Sequence, residues 1–260
     1  MKTGKFTALV YRELYLARKS WIGGIVSFLL AALICWLILL SYNYGNIGKI
    51  LNEVMVSGDG TIAPDAPDII ENMRRSMYLF VQFLPAVMSM QFFISASDIA
   101  AKDTLTCWCR FEHCTPVTPM RFAAVKLALN VLLLAVSFAL GATYMYTVGL
   151  VSGYGYSYSN FSMFMLIYVV LSAFCIISQI FVLLLKNRDK GMLATMAVVV
   201  LPLAVLSFIN GQNPGTEEDN TFDALINAAE TLCPYTPLII SGMLILLFAA
   251  MYFLYKRREK

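Results

Sequence analysis

Long runs of apolar residues dominate this chain, and polar residues gather in the stretches between them. A helix needs about 17–25 mostly apolar residues to cross the hydrocarbon core of a bilayer. Six stretches meet that length, and none has an ionisable residue at its middle. The predicted spans are 21–44, 78–97, 126–148, 161–185, 192–209 and 237–255. The pattern predicts an all-α, polytopic integral membrane protein with one transmembrane domain over residues 1–260.

Composition supports a membrane protein over a soluble one. Hydrophobic residues make up 59% of the chain and charged residues 13%, with a mean hydropathy of +0.71. Soluble domains have roughly 45–50% apolar and about 25% charged residues. A soluble core of this size cannot bury such an excess. The net charge of +3 does not indicate nucleic-acid binding, because the basic residues are explained by membrane orientation.

The distribution of charge predicts that both termini are cytoplasmic. With the N-terminus inside, 16 of the 19 Lys and Arg fall in inner segments and 10 of the 16 Asp and Glu in outer loops. An excess of Lys and Arg marks cytoplasmic loops. Residues 1–20, a segment rich in basic residues, are expected to form an N-terminal amphipathic interfacial helix. The outer loops are then 45–77 and 210–236, and the second contains a short amphipathic helix pattern, 221–232, that ends before two prolines.

Catalytic groups are missing from the expected places. The single histidine, His113, lies in an inner loop, so no serine–histidine pair can form within the bilayer. The chain has no Gly-x-x-x-x-Gly-Lys-Ser/Thr phosphate-binding loop and no carboxylate inside a span. We therefore expect that the chain is not an enzyme and that any uphill transport draws its energy from another polypeptide.

The longest inner loop, 98–126, connects the second and third spans. Residues 102–114 have helical character, with Leu105, Trp108 and Phe111 on one face. Prolines follow, and Thr118 can cap a new helix that has Pro119 at its first position. The predicted arrangement is a short helix along the membrane surface, an elbow, and re-entry into the bilayer.

This loop resembles that of permease subunits of the ABC-2 type of ATP-binding-cassette exporters. The similarity is carried by Asp103, Trp108, Phe111, the turn Thr115-Pro116-Val117-Thr118, and Lys126 at the start of the third span. Residues 9–21 look like the connecting helix that precedes the first span in that family. Small peptide exporters of Gram-positive bacteria, including those for phenol-soluble modulins, have permeases of about this size. The resemblance implies a multi-pass protein of the bacterial cytoplasmic membrane.

The resemblance also implies partners. Two permease copies would form the translocation path, and two separate ATPase subunits, which bind ATP and Mg, would dock beneath them. The cytoplasmic coupling helix between spans 2 and 3 would contact the ATPase. The coupling residues implied are Asp103, Trp108, Arg110, Phe111, Glu112, Pro116, Val117, Thr118 and Arg121. No cofactor is expected in this chain.

The second and fifth spans line the path in this family. The candidates there are Gln82, Pro85, Met88, Gln91 and Pro202. Each has an ordinary alternative: prolines are common in transmembrane helices, and amides at bilayer depth are often interhelical hydrogen-bonding partners. Methionines suit either an adaptable surface for amphipathic substrates or contact with lipid.

Two features of the loop have competing interpretations. The loop contains four potential zinc ligands: Cys107, Cys109, His113 and Cys114. One helix cannot bring all four together, and the paired Cys-x-x-Cys spacing of zinc sites is missing. We therefore expect reduced thiols and no bound metal. Trp108 and Phe111 either dock into an ATPase or anchor the loop in the membrane interface.

The expected function is therefore that of an ABC exporter permease subunit that moves an amphipathic or hydrophobic substrate such as a peptide, lipid or drug. The alternative is a non-transporting membrane scaffold, sensor or immunity protein.

Overall fold

The computed structural model describes residues 3–44, 66–91, 93, 118–152, 158–201 and 226–258, and these are almost entirely helical with no strand among them. The α-helices are α1 (Thr3–Tyr44), α2 (Ala66–Ser89), α3 (Pro119–Ser152), α4 (Tyr158–Leu185), α5 (Arg188–Thr195), α6 (226–232) and α7 (Thr236–Arg258). A π-helical segment, Met196–Val200, follows α5, and a 3-10 turn, Cys233–Tyr235, joins α6 to α7.

Four helical segments are long and apolar enough to cross a membrane: Trp21–Tyr42, Met120–Val151, Tyr158–Leu185 and Ile226–Leu254. They contain most of the first, third, fourth and sixth predicted spans. The second predicted span is described as far as residue 93, with an apolar helix over Ser76–Ser89, and the fifth as far as residue 201. The remainder of both spans lies outside the described residues.

Several predicted boundaries differ from the observed ones. The N-terminal segment is not a separate interfacial helix: α1 runs without a break into the first span, because neither proline nor glycine occurs between Gly4 and Gly23. Part of the predicted loop 45–77 is helical, since α2 begins at Ala66. The third helix begins at Pro119, as its capping pattern predicts, seven residues before the predicted span.

The directions of the helices follow from their contacts. Ser89 and Val81 of α2 contact Ser137 and Tyr144 of α3, so these two helices are antiparallel. In the same way Gln179 and Tyr168 of α4 contact Asn130 and Leu134 of α3. Helix α1 runs parallel to α3. The N-terminal ends of α1 and α3 therefore share one end of the bundle with the C-terminal ends of α2 and α4.

Helices α4 and α5 form a tight hairpin. Lys186 has a positive φ of 51°, and the side chain of Asn187 caps α5 by accepting hydrogen bonds from the N–H groups of Asp189 and Lys190. Gly191 then lies against Val182 so closely that a Cβ at this position would be 2.6 Å from the Val182 Cγ2 atom. Glycine at 191 is therefore what allows α5 to fold back onto α4.

The segment that leads into α7 is helical and contains no break in the helix. The short helix predicted over 221–232 is described from residue 226, and it continues through the 3-10 turn into α7 instead of ending at the prolines. Glu230 accepts a hydrogen bond of 2.6 Å from the Ser159 hydroxyl. This contact joins α6 to the first turn of α4.

The core is apolar and lies mainly between α2, α3, α4 and α7. Phe138, Phe164 and Tyr168 form a cluster of aromatic rings with centroids 5.3–6.0 Å apart. Gly141 makes this packing possible, because a Cβ there would lie 2.9 Å from both the Phe164 ring and the Ser89 hydroxyl. A second cluster, including Phe28, packs α1 against α2 and α3.

Candidate functional site

A buried ion pair connects the N-terminal part of α1 to the first turns of α3. Glu13 and Lys126 are 1% and 3% exposed, and the Lys126 Nζ atom lies 3.6 Å from the Glu13 Oε2 atom. The other carboxylate oxygen of Glu13 accepts from the guanidinium of Arg12. Two cations, one from each of two helices, thus contact one buried carboxylate.

The polar contacts continue from Lys126 into the bundle. The Lys126 carbonyl accepts a hydrogen bond of 2.9 Å from the side chain of Asn130, one turn further along α3. The Asn130 amide oxygen in turn accepts from the Gln179 Nε2 atom of α4 at 2.8 Å. We call Glu13, Lys126, Asn130 and Gln179 the basal network. It links α1, α3 and α4.

The stability of the basal network depends on its buried polar groups staying in contact. Gln179 is fully buried and its Oε1 atom has no hydrogen-bond partner among the described residues. A buried ion pair offsets the cost of desolvating its charges only while the two charges stay together, and losing one partner costs about 3–5 kcal/mol. Displacing α1 relative to α3 would therefore be resisted at this point, and the two helices are expected to move as one unit.

A second polar site surrounds Pro85 in α2. A proline inside a helix removes the hydrogen bond to the carbonyl four residues earlier, here that of Val81. The Tyr144 hydroxyl of α3 donates to this carbonyl at 3.1 Å. Cys35 of α1 packs in the same buried cluster as Tyr144 and Val81. The break caused by Pro85 is thereby filled from the neighbouring helix, and three helices meet there.

Gln82 of α2 lies three residues before this proline and hydrogen-bonds to both α3 and α4. Its Nε2 atom donates to the Met145 carbonyl of α3 at 3.5 Å, and its Oε1 atom accepts from Asn160 of α4 at 3.2 Å. Both Gln82 and Pro85 are buried within this single chain. Gln82 therefore makes interhelical hydrogen bonds to α3 and α4, and whether it also lines a path stays a prediction.

The regular α-helix of α2 ends at Ser89, deep within the bundle. Met90 forms a turn, with its N–H donating to the Val87 carbonyl, and Gln91 and Phe93 are again helical. Ser89 donates to the carbonyl of Ser137, near the middle of the apolar segment of α3. The interruption in α2 therefore lies at the depth of the α3 midpoint, and Ser89 and Met90 are fully buried in protein there.

The remaining candidates of the second span, Met88 and Gln91, lie on either side of this turn. Gln91 is half-buried; its Oε1 atom accepts from the Ser27 hydroxyl of α1, and its Nε2 atom contacts the Met88 sulfur at 3.5 Å. Met88 is also half-buried. Of the predicted path residues, Gln91 and Met88 thus retain partial exposure. Pro202 lies outside the described residues.

Most of the predicted coupling residues also lie outside the described residues, namely Asp103, Trp108, Arg110, Phe111, Glu112, Pro116 and Val117. So do Cys107, Cys109, His113 and Cys114. Thr118 and Arg121 are described, and both are exposed at the start of α3. The Thr118 carbonyl accepts from the Arg121 N–H at 2.9 Å and forms the first helical turn. No cluster of metal-ligating side chains occurs within the described ranges.

Sequence reasoning missed Glu13. A charged residue on a basic N-terminal segment is ordinarily solvated, and its partner Lys126 was identified only as the start of a span. One signal was present: Glu13 is the only acid in the first 52 residues. It also shares a helix face with Trp21, Gly24 and Phe28, which are wholly or partly buried.

Comparison with known proteins identified no relative: no family model matches this chain, and neither does any curated protein or any solved structure.

Proposed function

We propose that this chain is the membrane-spanning permease subunit of an ABC exporter, that a second copy completes the translocation path, and that separate ATPase subunits drive it. The substrate is amphipathic or hydrophobic, and the membrane is the bacterial cytoplasmic membrane. The full topology of this proposal has six spans, cytoplasmic termini and a coupling helix within 102–121.

The observation that carries the proposal is the basal network. An ATPase that grips 102–121 pulls on the chain immediately before α3 begins at Pro119. Lys126 stands two turns further on and is paired with Glu13. Force applied to the loop therefore reaches α1 and, through Asn130 and Gln179, reaches α4. A transporter powered from outside the membrane requires such a connection between its cytoplasmic handle and its helices.

The charge of the bundle end supports the same orientation. The end that holds the basal network also has the exposed cations Arg18, Lys19 and Arg121, together with Lys186 and Lys190 of the α4–α5 turn. Lys and Arg accumulate on the cytoplasmic side of membrane proteins. Among the described residues, the interior at the level of Gln82 and Gln91 has amides but no carboxylate, which suits an amphipathic cargo better than an ion.

Purification of the full chain from its own host membranes in mild detergent tests the proposal. We expect an ATPase subunit to be retained at equal stoichiometry, and its ATP hydrolysis to respond to amphipathic peptides after reconstitution into liposomes. The combined change Trp108→Ala, Phe111→Ala and Glu112→Ala should release the ATPase. The matched control, Lys186→Gln with Lys190→Gln, should retain it.

A second variant separates docking from coupling. Glu13→Gln leaves residues 102–121 unchanged, so the ATPase should still bind while peptide no longer stimulates hydrolysis. If the chain purifies without any ATPase and the triple variant behaves as wild type, the exporter assignment is wrong and the scaffold, sensor or immunity role remains.

A further inference from the structure

One face of α1 is exposed from Tyr11 to Leu40, and its chemistry changes abruptly along the helix. Tyr11 and Tyr15 are 70% and 51% exposed, and Arg18 continues the same face. From Ile22 onwards the exposed side chains are aliphatic, as at Leu29 and Leu33. The change from aromatic and basic to aliphatic side chains falls at Trp21, where the first apolar segment begins. This change in side-chain chemistry corresponds to the boundary between the lipid headgroups and the hydrocarbon core of the bilayer.

The aromatic and basic side chains on this face are arranged together. The guanidinium carbon of Arg18 lies 4.0 Å from the centroid of the Tyr15 ring, which is a cation–π contact. Lys19 is exposed beside it. Tyrosine rings favour the membrane interface, and long basic side chains direct their charge towards the headgroups. We call Tyr11, Tyr15, Arg18 and Lys19 the basic aromatic face.

No described acid weakens the positive charge of this face. Glu13 is the only acid before residue 53, and it is buried on the other side of α1 against Lys126. The exposed charges of α1 in the described part are therefore all positive. This charge pattern complements a negatively charged surface.

We propose that the basic aromatic face binds the phosphate headgroups of anionic phospholipids in the leaflet that contacts this end of the bundle. A lipid fits better than a protein because α1 continues directly into the bilayer. Arg18 is only three residues from Trp21, or about 5 Å along the helix axis, so its charge stands at headgroup depth. The inference does not depend on transport or on an ATPase.

Native mass spectrometry of the full chain tests the proposal, with phosphatidylglycerol and phosphatidylcholine titrated as probes. Wild type should retain phosphatidylglycerol preferentially. Each Lys or Arg near an anionic surface contributes about a fivefold gain in affinity, so Arg18→Gln with Lys19→Gln should lower phosphatidylglycerol affinity at least about tenfold. Both positions are exposed, so folding should persist, as size-exclusion chromatography can verify.

The matched control is Lys186→Gln with Lys190→Gln, which removes two exposed cations from the same end of the bundle. It should leave most of the preference intact. Tyr15→Leu removes the ring beneath Arg18 and should lower the affinity by a smaller factor. Equal losses in the two double variants, or a wild type without preference, would overturn the proposal. So would an Arg18/Lys19 variant that keeps its lipids but releases a bound protein, because the face would then be a protein-docking surface.

Discussion

The Tyr144 hydroxyl lies 3.1 Å from the Val81 carbonyl and donates to the one backbone acceptor that Pro85 leaves without its helical partner. In a membrane an unsatisfied carbonyl is costly because no water reaches it. The proline of α2 and the tyrosine of α3 therefore depend on each other. The sequence around Pro85 or around Tyr144 alone does not indicate that the two residues interact.

Tyr144→Phe should lower the free energy of unfolding by about 0.5–2 kcal/mol, because it removes this donor. The same change in a Pro85→Ala background should cost less, since an alanine has the backbone N–H that proline lacks and can supply the missing bond. Unfolding in mixed micelles with increasing sodium dodecyl sulfate measures both values. Tyr235→Phe, at an exposed tyrosine, is the control. Equal penalties in the two backgrounds would show that the hydroxyl does not compensate for the proline.

Lys126→Met should destabilise the protein by about 1–3 kcal/mol, because the buried Glu13 carboxylate loses its interhelical cation and keeps only Arg12. Combining it with Glu13→Leu removes both charges and should recover much of that loss. The same unfolding assay applies. Lys190→Met, at an exposed lysine, should change stability by less than about 0.5 kcal/mol. Additive losses in the double variant would contradict a direct pairing.

Gly141→Ala should destabilise the bundle by about 1–3 kcal/mol, because the new Cβ would overlap the Ser89 hydroxyl and the Phe164 ring, each 2.9 Å away. Gly23→Ala is the matched control, since nothing lies within 4 Å of its Cβ position. There the substitution should be neutral or stabilising by up to about 1 kcal/mol, as expected for an exposed helical glycine. Thermal unfolding of the two variants side by side measures the difference.

The orientation of the bundle can be read from cysteine labelling. In a background that lacks the six native cysteines, Asn227→Cys in α6 should react with a membrane-impermeant maleimide on intact cells. Lys19→Cys in α1 should react only after the membrane is permeabilised. Both positions are exposed, so access to reagent decides the outcome. The opposite labelling pattern would place 102–121 outside the cell and end the exporter proposal.

The apolar runs predicted the helical class and most helix positions because a bilayer imposes a length that sequence reveals directly. The capping pattern also placed the start of α3 at Pro119. It was harder to predict that the N-terminal segment and the first span form one continuous helix. The polar residues 3–20 look like an independent helix, but a change in polarity does not interrupt a helix. Only a helix-breaking residue such as proline or glycine would do so. The observed α1 has none between Gly4 and Gly23.

The ion pair of the basal network could not be predicted, because Glu13 and Lys126 are more than a hundred positions apart in the sequence. Glu13 and Lys126 each look like ordinary end-of-span charges, and only the packing of α1 against α3 buries them. Gln82 shows the same limit. Its position within a span indicates that it needs a partner, but the identity of that partner, Asn160, depends on the arrangement of three helices.

Helix α1 is 42 residues long, which corresponds to about 63 Å, or roughly twice the thickness of the hydrocarbon core. The stretch before Trp21 accounts for about 27 Å of that length. This stretch extends the helix well beyond the apolar segment without a joint. Since Glu13 joins it to Lys126 and Phe28 packs farther along the same helix, a force on this stretch would be carried by α1 and α3 together rather than absorbed by local bending. A displacement at one end of α1 would therefore also be felt near Tyr44.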